Sequence, residues 1–284
     1  MKRCFKRLLI VSVLFVAGMG FIAVFTPQGR TSVRAALFIT EVLPSIPIKP
    51  QKWVIRDPLW RSVSYSTPEG EGMADLVLPD RPGKHSAVLF FLGVVTDPPR
   101  QDDRVVGLAE GLARAGMVVM IPWSETQLQQ RIVPEDIDRL VYAFQYLRGL
   151  DFVNPDRVGM GGICTGASMA LVAAQDQRIR DDVKFVNLFA GYYDAHDFFK
   201  AISSRSRFYE GEVGSWDTDE LTLQVFRNHL IDGLTDNADR ELLVRIFSDP
   251  SVQEDQGGSS ISLLSDEGVA VYNLVNGVAF EEFD

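Results

Sequence analysis

The sequence predicts an α/β protein built on a mostly parallel β-sheet with helices on both faces. Short apolar runs that suit buried strands alternate along the chain with amphipathic segments that suit helices. Hydrophobic residues make up 46% of the 284 residues, which is enough for a large packed core. Right-handed crossovers between parallel strands would build this sheet as an open, doubly wound one.

Composition excludes several classes of protein. Only two cysteines are present, Cys4 and Cys164, so a disulfide-stabilised scaffold is excluded. The net charge is −10 and no basic stripe is visible, whereas phosphate binding needs clustered Lys and Arg, so no nucleic-acid partner is expected. No paired Cys-x-x-Cys and no histidine cluster occur, so no metal site is expected either.

The first 25 residues predict a basic tip followed by a transmembrane anchor. The run Leu8–Phe25 contains no charge, and its length as a helix is roughly 27 Å, close to the thickness of a bilayer core. Four basic residues precede it, so the N-terminus is expected in the cytoplasm and the following domain on the outer, periplasmic or extracellular side. A cleaved signal peptide is the alternative, although its apolar core is usually shorter. Residues 26–52 are predicted to be a linker, stiffened by the prolines between Leu43 and Pro50.

The core is expected between residues 53 and 193. Its first part, 53–79, has short alternating runs broken by Pro and Gly, which is typical of antiparallel strands. The run His85–Gly93 is continuously apolar, as in a strand buried on both faces. Further strands are expected at 117–123, 156–164 and 183–193, and helices at 102–116, 134–150 and 165–175.

Residues 194–284 predict a helical cap or lid on one end of the sheet. The stretch 194–216 has no regular pattern and is expected to be irregular. Helices are expected at 217–234, 236–249 and 265–277, the first of them opened by a capping box of Asp217 and Glu220.

The segment Gly162-Ile-Cys164-Thr-Gly166 lies between a predicted strand and a predicted helix. This is the setting of a nucleophile elbow, a turn so tight that glycine is needed on either side of the reactive residue. A helix N-terminus would stabilise a thiolate, which is the nucleophilic form of cysteine. A dinucleotide fingerprint fails here, because Cys164 stands where the third glycine is required. A small buried cysteine in a glycine-rich bend remains the alternative.

From about His85 to Tyr193 the chain resembles the α/β-hydrolase superfamily, and GGICTGAS is similar to the cysteine elbow of the dienelactone hydrolases. The resemblance implies that Cys164 is the nucleophile and that the N–H groups of Thr165 and Val94 form the oxyanion hole. It also implies a small ester or lactone as substrate and no cofactor. A catalytically silent binding or interaction module of the same fold is the alternative function.

The sequence departs from the superfamily pattern in its catalytic acid and base. Members place the acid and then the histidine after the nucleophile. Asp194 and His196, which follow the strand after the elbow helix, are the weak candidates for acid and base. His85 precedes Cys164 and is expected at the wrong end of the sheet, whereas His229 is expected to be packed or solvated in a cap helix.

Two further departures concern the chemistry and the length. Dienelactone hydrolases carry a glutamate at the end of the strand before the oxyanion loop, where this chain has Leu92 and Gly93. The sequence also lacks the last two strands expected of the fold, which would leave an apolar sheet edge exposed. Truncation of a longer hydrolase is therefore expected.

Overall fold

The computed structural model describes residues 18, 20–22, 25–43, 45–94, 98–248 and 260–277. A six-stranded sheet forms the centre, with strands in the order β1–β2–β4–β3–β5–β6. The strands are β1 (Leu59–Thr67), β2 (Gly70–Leu78), β3 (His85–Phe91), β4 (Met117–Pro122), β5 (Val153–Ile163) and β6 (Val186–Phe189).

The first two strands are antiparallel and the remaining four are parallel to one another. β1 pairs with β2, and β2 pairs antiparallel with β4. In the parallel part, Val88 of β3 lies between Val119 of β4 and Gly159 of β5. The predicted mostly parallel sheet is therefore confirmed. β6 lies at the edge of the described sheet, and its Leu188 and Phe189 are exposed.

Helices surround the sheet and continue into the cap. The helices of the N-terminal and central parts are α1 (Pro27–Val42), α2 (Gln51–Val54), α3 (Asp103–Arg114), α4 (Glu125–Leu128), α5 (Glu135–Gly149) and α6 (Thr165–Ala174). Those of the cap are α7 (Ala195–Ser204), α8 (Glu220–Asp232), α9 (Asn237–Ser248) and α10 (Asp266–Asn276). Short 3₁₀ turns occur at Pro99–Gln101 and Ile261–Leu263.

Both faces of the sheet are buried, each by different helices. Helix α3 covers one face, where Val105 and Ala109 pack against Val88 of β3. Helices α5 and α6 cover the other face, where Phe144 and Met169 join the larger core cluster. Burying one such side chain contributes about 1.5–3 kcal/mol, so these two layers stabilise the central sheet.

The cap has its own small core, and it contains helix α7 and a hairpin where the sequence predicted irregular chain. Helices α8, α9 and α10 share a buried cluster that includes Ile231, Leu243 and Val271. Strands β7 (Ser206–Tyr209) and β8 (Glu212–Ser215) pair antiparallel. Their turn residues, Glu210 and Gly211, have φ values of 49° and 84°, as the tight hairpin turn requires.

The N-cap of helix α8 lies two residues after the predicted one. Asp219, rather than Asp217, is the N-cap, and its carboxylate accepts a hydrogen bond from the N–H of Thr222 at 3.0 Å. Asp219 has the extended backbone that an N-cap needs, and it is followed directly by the first helical residue.

The predicted linker, residues 26–52, contains helix α1 and turns back on itself. Thr26 caps the start of α1 by accepting a hydrogen bond from the N–H of Gly29. At the other end, the ammonium group of Lys49 donates to the carbonyls of Thr40, Glu41 and Leu43 at 2.8–3.0 Å. These bonds satisfy carbonyls that the helix end leaves unpaired. The segment before Pro50 therefore closes the helix instead of forming an extended spacer.

A buried ion pair fixes α1 to the core. Glu41 of α1 lies 3.2 Å from the guanidinium of Arg114 on α3, and both side chains are almost completely buried. Arg114 also contacts Glu110 at 3.0 Å and Asp57 at 2.9 Å, so its charge has three acidic partners. Charges are retained in such an environment only when they are paired.

We expect Glu41→Gln to lower the free energy of unfolding by about 1–3 kcal/mol, because a charged hydrogen bond to Arg114 is lost in a buried place. Arg114 keeps its two other acidic partners, which limits the loss. Urea unfolding measures the change. Lys52→Gln is the control, since Lys52 is half-exposed at 3.6 Å from Glu41 and its loss should cost less than about 1 kcal/mol. Equal effects of the two substitutions would contradict a buried pair.

Among the described residues, no helix is both long and apolar enough to span a bilayer. Most of the predicted anchor, Leu8–Phe25, lies outside the described residues. The anchor and the membrane location stay predictions.

Candidate functional site

Cys164 lies at a sharp turn between β5 and α6. Its φ and ψ are 56° and −135°, a combination that side chains rarely adopt. The N–H of Cys164 donates to the carbonyl of Phe189 at the end of β6, at 2.9 Å. The side chain is exposed. The alternative of a small buried cysteine is therefore wrong, since the strained backbone presents the thiol to solvent.

The glycines on either side of Cys164 are required by close backbone contacts. A Cβ on Gly166 would lie 2.1 Å from the carbonyl oxygen of Leu92, and one on Gly162 would lie 2.5 Å from that of Gly166. Real Cβ atoms do not approach so closely. The absence of side chains thus brings the start of α6 against the end of β3. Gly93 also lies close to the thiol, since a Cβ there would meet the Cβ of Cys164 at 2.8 Å.

Buried polar side chains hold the end of β3 in place. The side-chain amide of Gln127 in α4 donates to the carbonyl of Leu92 at 3.1 Å. The hydroxyls of Ser124 and Thr126 both donate to the buried carboxylate of Asp136, at 2.7 and 2.8 Å. These bonds tie α4 to α5. The carbonyl of Leu92 is therefore held by α4, which is itself held by α5.

The thiol opens into a cavity of about 170 Å³ between the sheet and the cap. On the sheet side, the lining residues are Val94, Ile132, Cys164, Thr165 and Tyr192. On the cap side, the apolar lining residues are Phe198, Phe199, Ile202, Leu221, Val225 and Phe226. Thr222 and His229 of α8 are polar exceptions on that side. The cap therefore supplies a mostly apolar wall opposite the thiol.

The two predicted oxyanion-hole residues lie beside Cys164 on the cavity wall. Val94 follows the end of β3, and Thr165 is the first residue of α6. The N–H groups at the start of a helix have no partner within the helix, so that of Thr165 is open to a ligand. The Thr165 hydroxyl is buried, and it has no hydrogen-bond partner in the described structure.

Asp194 and His196 lie at the start of α7. Asp194 is the N-cap of α7, where one carboxylate oxygen accepts from the N–H groups of His196 and Asp197 at 2.8 and 3.2 Å. Neither Asp194 nor His196 is among the described residues that line the cavity. Asp194 therefore has a structural task that the sequence did not reveal. His85 begins β3, and its Nε2 lies 3.0 Å from the carbonyl oxygen of Arg81.

His229 lies on the cavity wall, which its predicted role as a packed or solvated cap residue did not anticipate. The N–H of Ile132 donates to Nε2 of His229 at 2.9 Å. An acceptor nitrogen carries no proton, so the neutral ring holds its proton on Nδ1. Burial lowers the pKa of His229, and the nearby charge of Arg131 lowers it further, while Asp232 opposes both. His229 is therefore a neutral imidazole of fixed tautomer at neutral pH.

Tyr192 is the other titratable residue beside Cys164. Its ring stacks on Phe198 at 5.2 Å, and its carbonyl accepts from the hydroxyl of Ser168 at 2.9 Å. Burial raises the pKa of Tyr192, and the proximity of a charged Cys164 would raise it further. The phenol is thus a permanent donor and cannot act as a base near neutral pH.

We expect His229 to make the protein less stable as the pH falls. Its folded-state pKa lies below the ordinary value of 6.5, so the unfolded chain binds a proton more readily than the folded protein does. The stability that depends on neutral His229 is present above about pH 6.5 and is lost as the pH falls toward the folded-state pKa. Urea unfolding at about pH 7.5 and 5 measures this loss. His229→Gln should flatten the dependence, and an unchanged pH slope would contradict it.

No group of three or more His, Cys, Asp or Glu side chains in the described residues is arranged to hold a metal ion. The cavity instead offers one thiol, backbone N–H groups, a phenol and a neutral imidazole. The thiol and the hydrogen-bond donors together suit nucleophilic attack on a carbonyl compound.

No protein-family model and no curated protein sequence matches the chain. Solved structures that are similar include the esterase Est22, at 14% identity and a TM-score of 0.42 over 62% of this chain and 56% of that one. A bacterial heroin esterase matches at 16% identity and 0.42 over 66% and 60%. The hypothetical protein PA2218 from Pseudomonas aeruginosa matches at 22% identity and 0.41 over 69% and 55%. The chain thus spans little more than half the length of these structures.

Proposed function

We propose that this chain is a cysteine hydrolase of the α/β-hydrolase type, which cleaves carboxylic esters or lactones by acyl transfer to Cys164. The observation that carries the proposal is the exposed Cys164 at positive φ, between a parallel strand and a helix N-terminus, on the wall of a cavity. This is the geometry of a nucleophile elbow. The dienelactone specificity implied by the elbow sequence is not part of this proposal, because Leu92 and Gly93 stand where dienelactone hydrolases carry their glutamate.

The reaction proceeds in two steps. The exposed thiol loses its proton to solvent, and the thiolate, stabilised by the N-terminus of α6, attacks the ester carbonyl. The carbonyl oxygen becomes an oxyanion that accepts hydrogen bonds from the N–H groups of Thr165 and Val94, each worth on the order of 3 kcal/mol. The C–O bond then breaks, the alcohol leaves with a proton from water, and a thioester remains. Water attacks the thioester, which releases the carboxylic acid and regenerates the thiol.

The cap side of the cavity supports an apolar acyl group as the substrate class. Phenylalanine and aliphatic side chains dominate that wall, and they would remove an acyl chain from water. A charged acyl group would have no described cationic side chain to meet there. The predicted anchor would hold this activity at a membrane, outside the cytoplasm.

Rapid-mixing kinetics with p-nitrophenyl butanoate test the proposal. We expect a burst of p-nitrophenol equal to the enzyme concentration, followed by slower turnover, as a covalent intermediate requires. Mass spectrometry of the acid-quenched enzyme should then find the butanoyl group on the peptide that contains Cys164. The absence of both a burst and turnover would favour the silent binding module. An acyl group on another residue would show that Cys164 is not the nucleophile.

A further inference from the structure

We propose that His229 contacts the substrate, with its Nδ1–H donating a hydrogen bond to the alkoxy oxygen of the ester from the cap side of the cavity. This inference rests on the proposed function, because it assigns a residue to the leaving-group side of the same site. The role differs from those of the catalytic acid and base, for which Asp194 and His196 respectively were the candidates.

His229 cannot accept a proton from Cys164 as it stands. Its Nε2 already accepts the N–H of Ile132 at 2.9 Å. Moving the proton to Nε2 would set two N–H groups against each other and leave the Ile132 N–H unpaired. The ring is therefore held as a donor through Nδ1.

The Nδ1–H donor of His229 has no described protein partner. His229 lines the same cavity as Cys164, and no described side chain or carbonyl accepts from Nδ1. The carboxylate of Asp232, one turn from the ring, is paired with Arg131. On this mostly apolar wall, a ligand oxygen in the cavity can accept from the half-buried N–H.

The two oxygens of the ester suit different donors of the cavity. The backbone N–H groups of Thr165 and Val94 lie on the same wall as Cys164 and suit the carbonyl oxygen. His229 belongs to α8 of the cap and lines the same cavity, where its ring meets the sheet side at Ile132. The remaining ester oxygen is the alkoxy oxygen, which gains negative charge as the C–O bond breaks. A neutral imidazole can stabilise such charge by hydrogen bonding without transferring its proton.

The dependence on the leaving group tests this assignment. An ethoxide leaving group needs stabilisation, whereas p-nitrophenolate needs little. We expect His229→Leu to lower kcat/KM for ethyl butanoate at least about tenfold and to change that for p-nitrophenyl butanoate less than about threefold. His229→Gln, whose amide can accept from Ile132 and donate into the cavity, should restore much of the ratio of the two rates. Because both rates of a ratio are measured on the same variant, a partial loss of folded protein lowers both equally and leaves the ratio unchanged.

His85→Leu is the matched control, since His85 lies at the other end of β3, and its ratio should equal that of the parent protein. Equal losses of both esters in His229→Leu would mean a purely structural role and overturn the inference. Slower alkylation of Cys164 by iodoacetamide in His229→Leu, by tenfold or more, would make His229 a base and also overturn it. Undiminished hydrolysis of both esters by Cys164→Ala would instead refute the proposed function.

Discussion

Cys164→Ala is expected to lower kcat/KM for p-nitrophenyl butanoate by at least about 10³-fold, because alanine leaves the oxyanion donors but removes the nucleophile. Any remaining hydrolysis would come from water attacking an ester bound beside Thr165 and Val94. The substitution removes only a sulfur from an exposed side chain, so the free energy of unfolding should change by less than about 1 kcal/mol. Loss of activity without loss of stability is the expected signature.

Cys4→Ala is the matched control, since it removes the only other cysteine of the chain. Its esterase activity should equal that of the parent protein. In parallel, iodoacetamide should label Cys164 faster than it labels a free model thiol. A Cys164→Ala variant that keeps more than a tenth of the activity would remove this residue as the nucleophile.

Gly166→Ala is expected to destabilise the protein by about 3 kcal/mol or more, which is a large effect for adding one methyl group. The new Cβ would lie 2.1 Å from the carbonyl oxygen of Leu92 and 2.5 Å from that of Phe91. Both are backbone atoms at the end of a central strand, so neither can rotate away. Relief requires α6 to move from β3, which would also displace Val94 from the thiol. Urea unfolding should therefore show a lower midpoint, and any folded fraction should have reduced esterase activity.

Gly107→Ala is the control for this substitution. Gly107 lies within helix α3, and a Cβ there would meet nothing within 4 Å. Alanine should stabilise the helix by about 0.5–1 kcal/mol. Similar unfolding midpoints for the two variants would contradict the need for glycine at position 166.

The parts of the fold that sequence predicts well are those controlled by local pattern. The continuous apolar run of β3, the glycine after α3 and the glycine-flanked turn at Cys164 all appear where the pattern places them. Each reflects burial or backbone geometry within a few residues. Positions 162 and 166 have room only for glycine, and the two glycines are visible in the sequence itself.

The parts that sequence misses depend on contacts distant along the chain. His229 reaches the cavity only because α8 folds over the turn, and its role depends on Ile132, 97 residues earlier. Helix α1 similarly depends on Arg114, 73 residues after Glu41. The hairpin of β7 and β8 did carry a local signal, because Glu210 and Gly211 form a typical tight turn. Its exposed strands lack the apolar alternation by which strands are usually recognised.

Five non-glycine residues of the described chain have positive φ, and one of them, Cys164, lines the cavity. Cys164 lies on its wall, while Gln130 and Ala190 each stand two residues before a lining residue. Each such conformation costs of order 1–3 kcal/mol. Glycine at position 164 would remove that cost together with the thiol. Selection for stability alone would therefore replace Cys164 by glycine. The proposed chemistry and the stability of this protein thus place opposite requirements on residue 164.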